Sequence, residues 1–374
     1  MKILIASGIF VPELGGPACY AKNIAEEFAA LGHVVCILTY SNVAAHDDDA
    51  RYPFRVLRIQ RTSTLSNYWR YAKTLLRIGK QYDYIYAFDH FSAGIPASLA
   101  NLFLRKKMAI RIGGDFIWER FLGKTGAALA LRDYYEQGLY QKDWLRFVLI
   151  KWVFGRADIL VFTTRFQADI FVRYYGCDKR KLAFIENPLP ETVIEAQTAQ
   201  RSKEILCAGR IINKNNIKPL LDAFSSIDQT EIGLVIIGEG EQKSELEAYA
   251  RSQNYNHTRF EPALSRDGLT KRIARSYAMV FPSLTDISPN TMLDCIAAKT
   301  PFITSEEIGY DWVLKSAIHF NPRKTEDIKQ SLKTIMSPEG YEKAKQALNS
   351  LRYTYSFKEA AKDTLRLFGK GRDE

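Results

Sequence analysis

The chain is poor in the residues that usually announce a cross-linked or metal-bound protein. Its five cysteines, Cys19, Cys36, Cys177, Cys207 and Cys295, are odd in number and show no paired or metal-type spacing. A disulfide framework is therefore not expected; reduced, mostly buried thiols in a cytosolic protein are. The five histidines are scattered, so no metal site is expected. No apolar run reaches the roughly 20 residues that span a bilayer. The opening Met1-Lys2-Ile3-Leu4-Ile5 is too short and too β-like for a secretory signal and passes straight into a glycine loop. The dinucleotide fingerprint G-x-G-x-x-G is missing, which disfavours a nicotinamide-dependent dehydrogenase. No nucleic-acid motif accompanies the net charge of +10, so nucleic acid ranks last among partners.

What is present is length, apolar content and an uneven charge. A chain of 374 residues that is 47% hydrophobic and 12% aromatic is expected to form two globular domains. Residues 1–190 carry 26 Lys+Arg against 17 Asp+Glu, and the remainder 26 against 25. The basic surface therefore belongs to the first half, where an anionic membrane leaflet or a phosphorylated acceptor could use it. Two stretches in that half, 66–81 with Trp69, Arg70, Lys73 and Arg77, and 144–154 with Trp144, Arg146 and Lys151, mix aromatic and basic residues. The first reads either as an ordinary surface helix packed on a sheet or as a membrane-facing one, the second as core or as a further part of a membrane-facing surface.

The most informative stretch is 278–304. Ala278 to Phe281 is a short apolar run of buried-strand type, and Pro282 and Ser283 end it. Ser288 suits an N-cap and Pro289 the first helical position. The helix is expected to run to about residue 298, with a new strand from Pro301. Asp286 precedes the helix and Asp294 lies in its second turn, so both carboxylates can face the crevice at the strand's carboxyl end, where open α/β sheets bind ligands. The free N–H groups of Asn290 and Thr291 would suit a diphosphate there.

The rest alternates strand and helix. A strand over 2–7, the loop with Gly15 and Gly16, a helix over 18–31 and a strand over 34–40 form a βα start. Strands are expected over 54–60, with Arg55, Arg58 and Arg61 pointing outward, and over 84–88, 107–113, 156–164 and 182–186. Gly113-Gly114 permits close backbone approach, with Asp115 and Glu119 as the polar candidates beside it; residues 126–142 suggest no role. Asn187-Pro188-Leu189-Pro190 breaks the pattern and marks the domain boundary, before a polar stretch at 191–203. The alternation then restarts: strand 204–209 ending at Arg210, helix 217–226, strand 233–238, the turn Glu239-Gly240, helix 242–252, strand 259–262 and helix 267–276. Parallel strands covered on both faces, twice over, make a doubly wound α/β architecture.

In order along the chain, the Gly15-Gly16 loop, the Asn187-Pro188 linker, Gly209-Arg210, Gly238-Glu239-Gly240 and the acid–seven residues–acid spacing of Asp286 and Asp294 resemble the motifs of glycosyltransferase family 4. Here both acids are Asp where the family pattern has Glu. The resemblance implies a GT-B fold, with two Rossmann-like domains facing across a cleft. Residues 1–189 would be the acceptor side and 190–352 the donor side, with a C-terminal helix in 353–374 returning to the first domain. It implies a retaining hexosyltransferase without a cofactor; no Asp-x-Asp pair is read as marking a metal requirement, so metal-independent catalysis is expected. The donor would be a UDP- or GDP-linked sugar and the acceptor a glycan or lipid-linked group, as in cell-surface polysaccharide or glycolipid synthesis. In such enzymes the Gly-Gly loop lies against the donor phosphate and sugar. The Arg after the glycine and a Lys five residues later neutralise the diphosphate. Arg210 matches; the fifth position is Asn215, so either Lys214, one residue earlier, serves or the second cation is missing, and Lys214 is favoured. Many members carry a His after the strand that here ends at Gly113; this chain has none there, and Asp115 takes its place as candidate. Asp286 would orient the sugar and Asp294 the ribose, while Gly209, Glu239, Ser288, Asn290 and Thr291 would line the donor. The expected location is cytoplasmic, peripheral on the inner membrane face if the basic half docks. A GT-B sugar-nucleotide epimerase and a non-catalytic GT-B scaffold are the alternatives.

Overall fold

The computed structural model describes residues 1–13, 15–190, 201–228 and 231–369. These form two compact units: Met1–Ile117 with Gly138–Pro188 and the chain from Tyr355 on, and Trp118–Gln137 with Leu189–Thr354. The polar stretch expected at 191–203 lies mostly outside the described residues.

The first unit holds strands β1 (Lys2–Ser7), β2 (Val34–Ser41), β3 (Arg55–Gln60), β4 (Tyr84–Phe88), β5 (Lys107–Ile112), β6 (Ile159–Phe162) and β7 (Leu182–Phe184). They pair in parallel in the order β3-β2-β1-β4-β5-β6-β7. The helices up to β7 are α1 (Gly16–Ala30), α2 (Thr64–Gly79), α3 (Gly94–Leu104), α4 (Phe116–Thr125), α5 (Leu131–Glu136), α6 (Trp144–Arg156) and α7 (Arg165–Tyr175); of these, α4 from Trp118 on and all of α5 belong to the second unit. The central strands read as continuous apolar runs because helices cover both faces of a parallel sheet; Ile3, Leu4 and Ile5 are fully buried, as are Ile37 and Leu38.

The second unit holds β8 (Glu204–Ala208), β9 (Gly233–Ile237), β10 (Thr258–Glu261), β11 (Ala278–Phe281), β12 (Phe302–Ser305) and β13 (Ile318–Phe320). Their order is β10-β9-β8-β11-β12-β13, again all parallel. Around them lie α8 (Ile217–Ser225), α9 (Lys243–Ser252), α10 (Arg266–Arg275), α11 (Asn290–Ala298), α12 (Asp311–Leu314), α13 (Thr325–Met336) and α14 (Pro338–Ser350). In each sheet the strand order reverses once, between β1 and β4 in the first and between β8 and β11 in the second. The carboxyl ends of those strand pairs are the switch points at which doubly wound sheets bind ligands.

Two local expectations are corrected. Arg58 does not point outward: its guanidinium is buried and donates to both carboxylate oxygens of Asp49, at 2.7 Å each, and to the Val11 carbonyl. Arg55, Arg58 and Arg61 are three apart, and a strand side chain changes face every residue, so the three cannot share one face. Asp47-Asp48-Asp49, the one Asp-x-Asp run in the chain, forms a short 3-10 turn capped by His46; Asp48 pairs with Arg51 and Asp49 with Arg58.

The last helix, α15 (Phe357–Gly369), belongs to the first unit and packs against α1. Phe357, Ala360, Ala361 and Phe368 enter the same core as Ile3, Ile24 and Tyr86. Phe368 stacks on Tyr84 with ring centroids 4.7 Å apart. Lys107 Nζ donates to the last carbonyls, Leu367 at 3.1 Å and Phe368 at 3.2 Å, a cation placed where the helix dipole is negative. Because Phe368 is 1% exposed, Phe368→Ala is expected to destabilise the first unit by about 3 kcal/mol, seen as a lowered urea midpoint in equilibrium unfolding.

Candidate functional site

The second sheet's switch point is built from two loops. One follows β8 and the other follows β11. The β8 loop is pinned by backbone. Gly209 N–H donates to the Ile237 carbonyl at 3.0 Å, Ile211 N–H to Glu239 at 2.9 Å and Gln242 N–H to Ile211 at 3.1 Å. The approach is so close that a Cβ on Gly238 would overlap the Gly209 carbonyl oxygen, and one on Gly240 the Ile211 backbone. Gly209 and Gly238 also sit at φ 153° and 156°, which side chains adopt only with strain. The Gly-Glu-Gly run is thus a backbone seat for the Gly-Arg loop. The Glu239 side chain points away, is largely exposed and pairs with Lys243 at 2.7 Å.

The seat aims two cations at one place. Arg210 follows Gly209, and Lys214 rides on the short 3-10 turn Asn213–Asn215. Asn215, at the position where the family pattern has lysine, donates to the Arg210 carbonyl at 2.5 Å and closes the loop on itself. Lys214 Nζ donates to Glu119 Oε1 at 2.8 Å, and Arg210 Nη2 to Glu119 Oε2 at 3.3 Å. Leu284 N–H donates to the Lys214 carbonyl at 2.8 Å, tying this loop to the one after β11.

That second loop carries Asp286. Its N–H donates to the Glu307 carbonyl at 2.9 Å and its carbonyl accepts from Gly309 N–H at 3.0 Å, holding it on both sides. Burial pushes the Asp286 carboxyl up from its ordinary range; Lys214 opposes, Glu119 reinforces, and the Ser288 N–H opposes. Ser288 is not the N-cap. The helix begins one residue later than expected, at Asn290, with Pro289 as cap and no side-chain cap bond. The pre-helical backbone is instead drawn to the Asp286 carboxylate, which accepts from Ser288 N–H. The N–H groups of Asn290 and Thr291 lie in the first turn of α11.

Asp294 has a different neighbour. It is fully buried in α11, and its Oδ1 accepts from Arg266 Nη2 at the start of α10. Its Oδ2 is buried without a hydrogen-bond partner. Burial lifts its carboxyl to about 7, with Arg266 opposing. Gly15, Gly16 and Asp115 belong to the first unit. Gly15 precedes α1 at φ 156°, where a Cβ would press on Ile9 Cδ1. Asp115 is 1% exposed, just before α4; Gln167 donates to the Gly114 carbonyl beside it at 2.9 Å.

Sequence reasoning put no specific role on Glu119 and did not single out Arg266. Their partners lie 91 and 95 residues away for Glu119 and 28 for Arg266, beyond any local pattern. Because the folded-state value of Asp294 lies above that of an open chain, the folded protein binds this proton more tightly. The stability it contributes is full at low pH and is lost as pH rises through about 7. Asp294→Asn is expected to flatten that slope, checked by urea midpoints of wild type and variant at about pH 5 and about pH 8.

Comparison with known proteins adds the family. Residues 15–188 match the family described as glycosyl transferase 4-like domain, and residues 191–350 that described as glycosyl transferases group 1. A curated relative, an uncharacterized glycosyltransferase of Methanocaldococcus jannaschii, is 22% identical over 185 residues; the match spans 46% of this chain and 45% of that protein. Among solved structures, Anabaena HepE in complex with UDP-glucose superposes with a TM-score of 0.77 at 12% identity, covering 99% of each chain. Sucrose-phosphate synthase from Thermosynechococcus elongatus gives 0.72 at 15% identity, covering 99% of this chain and 97% of that one. With two doubly wound sheets, and with both family matches laid end to end along it, this chain belongs to the GT-B glycosyltransferases of the family 4 type.

Proposed function

We propose that the protein is a retaining glycosyltransferase that moves a sugar from a UDP- or GDP-linked donor to a glycan or lipid-linked acceptor. The observation that carries this is the meeting of Arg210, Lys214 and Asp286 at the second sheet's switch point, in a chain of this family. Breaking the bond from the anomeric carbon to the diphosphate leaves an anionic nucleotide. Arg210, Lys214 and the first turn of α11, at Asn290 and Thr291, supply the counter-charge. In this reading no divalent metal or cofactor is needed. Asp286 orients the donor sugar and faces the positive charge that grows at its anomeric carbon. Asp294, held by Arg266 and with a buried Oδ2 that has no hydrogen-bond partner, accepts from ribose hydroxyls in this reading. The backbone around Gly209 and Glu239 lines the nucleotide.

The reading extends to a membrane-facing first unit. No helix among the described residues is long and apolar enough to cross a membrane. Yet α2 packs on α3 and α3 on α6, and together they expose Leu65 (84%), Trp69, Phe103 (78%), Trp144 (65%) and Leu145. The sequence pattern pointed to α2 and α6; α3, with Phe103, joins them. Lys73 lies over the Trp69 ring at 4.8 Å, and Lys73 and Arg77 are exposed. Arg70 is spent differently, on Gln60, Thr62 and Asn67 at the start of α2. An exposed apolar patch with a basic rim suits an anionic lipid surface.

Three outcomes are expected. Asp286→Asn lowers turnover at least about tenfold with the fold retained; near-normal transfer by this variant defeats the assignment, and a donor isomerised without acceptor favours an epimerase. Arg210→Ala and Lys214→Ala weaken UDP or GDP binding far more than uridine or guanosine binding, measured by calorimetry. Vesicles containing phosphatidylglycerol retain the protein on sedimentation and pure phosphatidylcholine vesicles do not. Salt and the pair Lys73→Glu with Arg77→Glu both reduce that retention, and salt-insensitive binding speaks against the membrane reading.

A further inference from the structure

Glu119 stands where both diphosphate cations converge. Lys214 and Arg210 each give it a hydrogen-bonded ion pair, at 2.8 and 3.3 Å. Burial pushes its carboxyl up, but Lys214 and Arg210 outweigh that and hold it below the usual glutamate range, so it is ionised. Its side chain keeps 31% of its surface open while Lys214 keeps 18% and Arg210 63%, so the trio is not sealed from solvent.

The placement is built rather than incidental. Glu119 belongs to the segment Trp118–Gln137, which is part of the second unit although it precedes that unit's sheet by some 70 residues of chain. The segment is stitched to both loops of the switch point. Asn213 Nδ2 donates to the Leu122 carbonyl at 3.2 Å, and Leu131 N–H donates to Thr285 Oγ1 at 3.0 Å. Asp133 pairs with Arg323, which also reaches Glu307, whose carbonyl holds the Asp286 backbone. Lys214 also lies 5.9 Å from the Trp118 ring centroid.

We infer that Glu119 is a built-in anionic competitor of the donor diphosphate, a positioning residue that holds Arg210 and Lys214 in the free protein and takes them back as the nucleotide leaves. The inference rests on the reading of those two cations as diphosphate partners. Its sign does not depend on the detailed pose. An incoming diphosphate either displaces the carboxylate, losing two ion pairs, or binds beside it against its charge. In both cases Glu119 weakens the hold on diphosphate and speeds its departure, while the nucleoside does not feel it. A residue that only propped up the loop would act in the opposite direction, because its loss would free Lys214 to turn away.

The test is calorimetric titration of pyrophosphate, UDP, GDP, uridine and guanosine into the full-length protein, for wild type, Glu119→Gln and Glu119→Asp. Expected is pyrophosphate and nucleotide-diphosphate binding at least about tenfold tighter in Glu119→Gln than in wild type, with nucleoside binding unchanged. Glu119→Asp, which withdraws the carboxylate by one methylene, falls between. Stopped-flow displacement is expected to show slower UDP or GDP release from Glu119→Gln. Equal or weaker pyrophosphate binding by both variants, with wild-type unfolding midpoints, overturns the inference alone. Pyrophosphate binding by wild type that is absent, or indifferent to Arg210→Ala and Lys214→Ala, overturns the diphosphate reading and the inference with it.

Discussion

The candidate site depends on one contact between two backbones. Gly238 and Gly240 let the turn after β9 press against the loop after β8, with no room for a Cβ at either glycine. Three main-chain hydrogen bonds fix the register, and from that register follow the directions of Arg210 and Lys214. Side chains placed by such a seat are held more firmly than side chains on a free loop. The seat also places cations at the carboxyl ends of β8 and β11, between which the strand order reverses and the neighbouring loops splay apart.

The charges around that seat are matched closely. Two cations face two carboxylates, Glu119 and Asp286, whose protonation is pulled in opposite directions. The cations hold Glu119 ionised, whereas burial wins over them at Asp286. A site in which one acid is driven down and its neighbour up offers two distinct chemical roles from one kind of group, the carboxylate. Asp294 is served by its own arginine in the helix behind.

Much of this was legible in the sequence, for definite physical reasons. Parallel strands buried on both faces are short apolar runs, and the reading of β1, β4 and β11 followed from that. The glycine pairs and the Asp286–Asp294 spacing are local patterns and could be read as such. Relations across the fold were not legible. Ser288 has the chemistry of an N-cap, but the Asp286 carboxylate accepts its N–H and the helix starts two residues beyond it. Arg58 looked like a surface residue until Asp49 turned it inward. Helix α4 was hidden because Gly113-Gly114-Asp115 reads as a turn and the mixed polar-aromatic run after it lacks a clear period. Glu119 could be named as a polar candidate beside Gly113-Gly114, but its partners, 91 and 95 residues away, lie beyond any windowed reading.

The interleaving of the two units has a consequence for how the chain is made. The chain leaves the first unit at Ile117, rejoins it at Gly138, leaves again at Pro188 and rejoins at Tyr355. Neither unit is a contiguous stretch, so a cut at the Asn187-Pro188 linker gives no complete half. The amino-terminal piece lacks Phe357 and Phe368 from its core, and the carboxyl-terminal piece lacks the segment bearing Trp118 and Leu131. During synthesis the first sheet emerges early but cannot close its core until the last helix has left the ribosome. Domain-by-domain folding in order of emergence does not match this arrangement, since Phe357 and Phe368 complete the first unit's core only after the second unit's strands have been made.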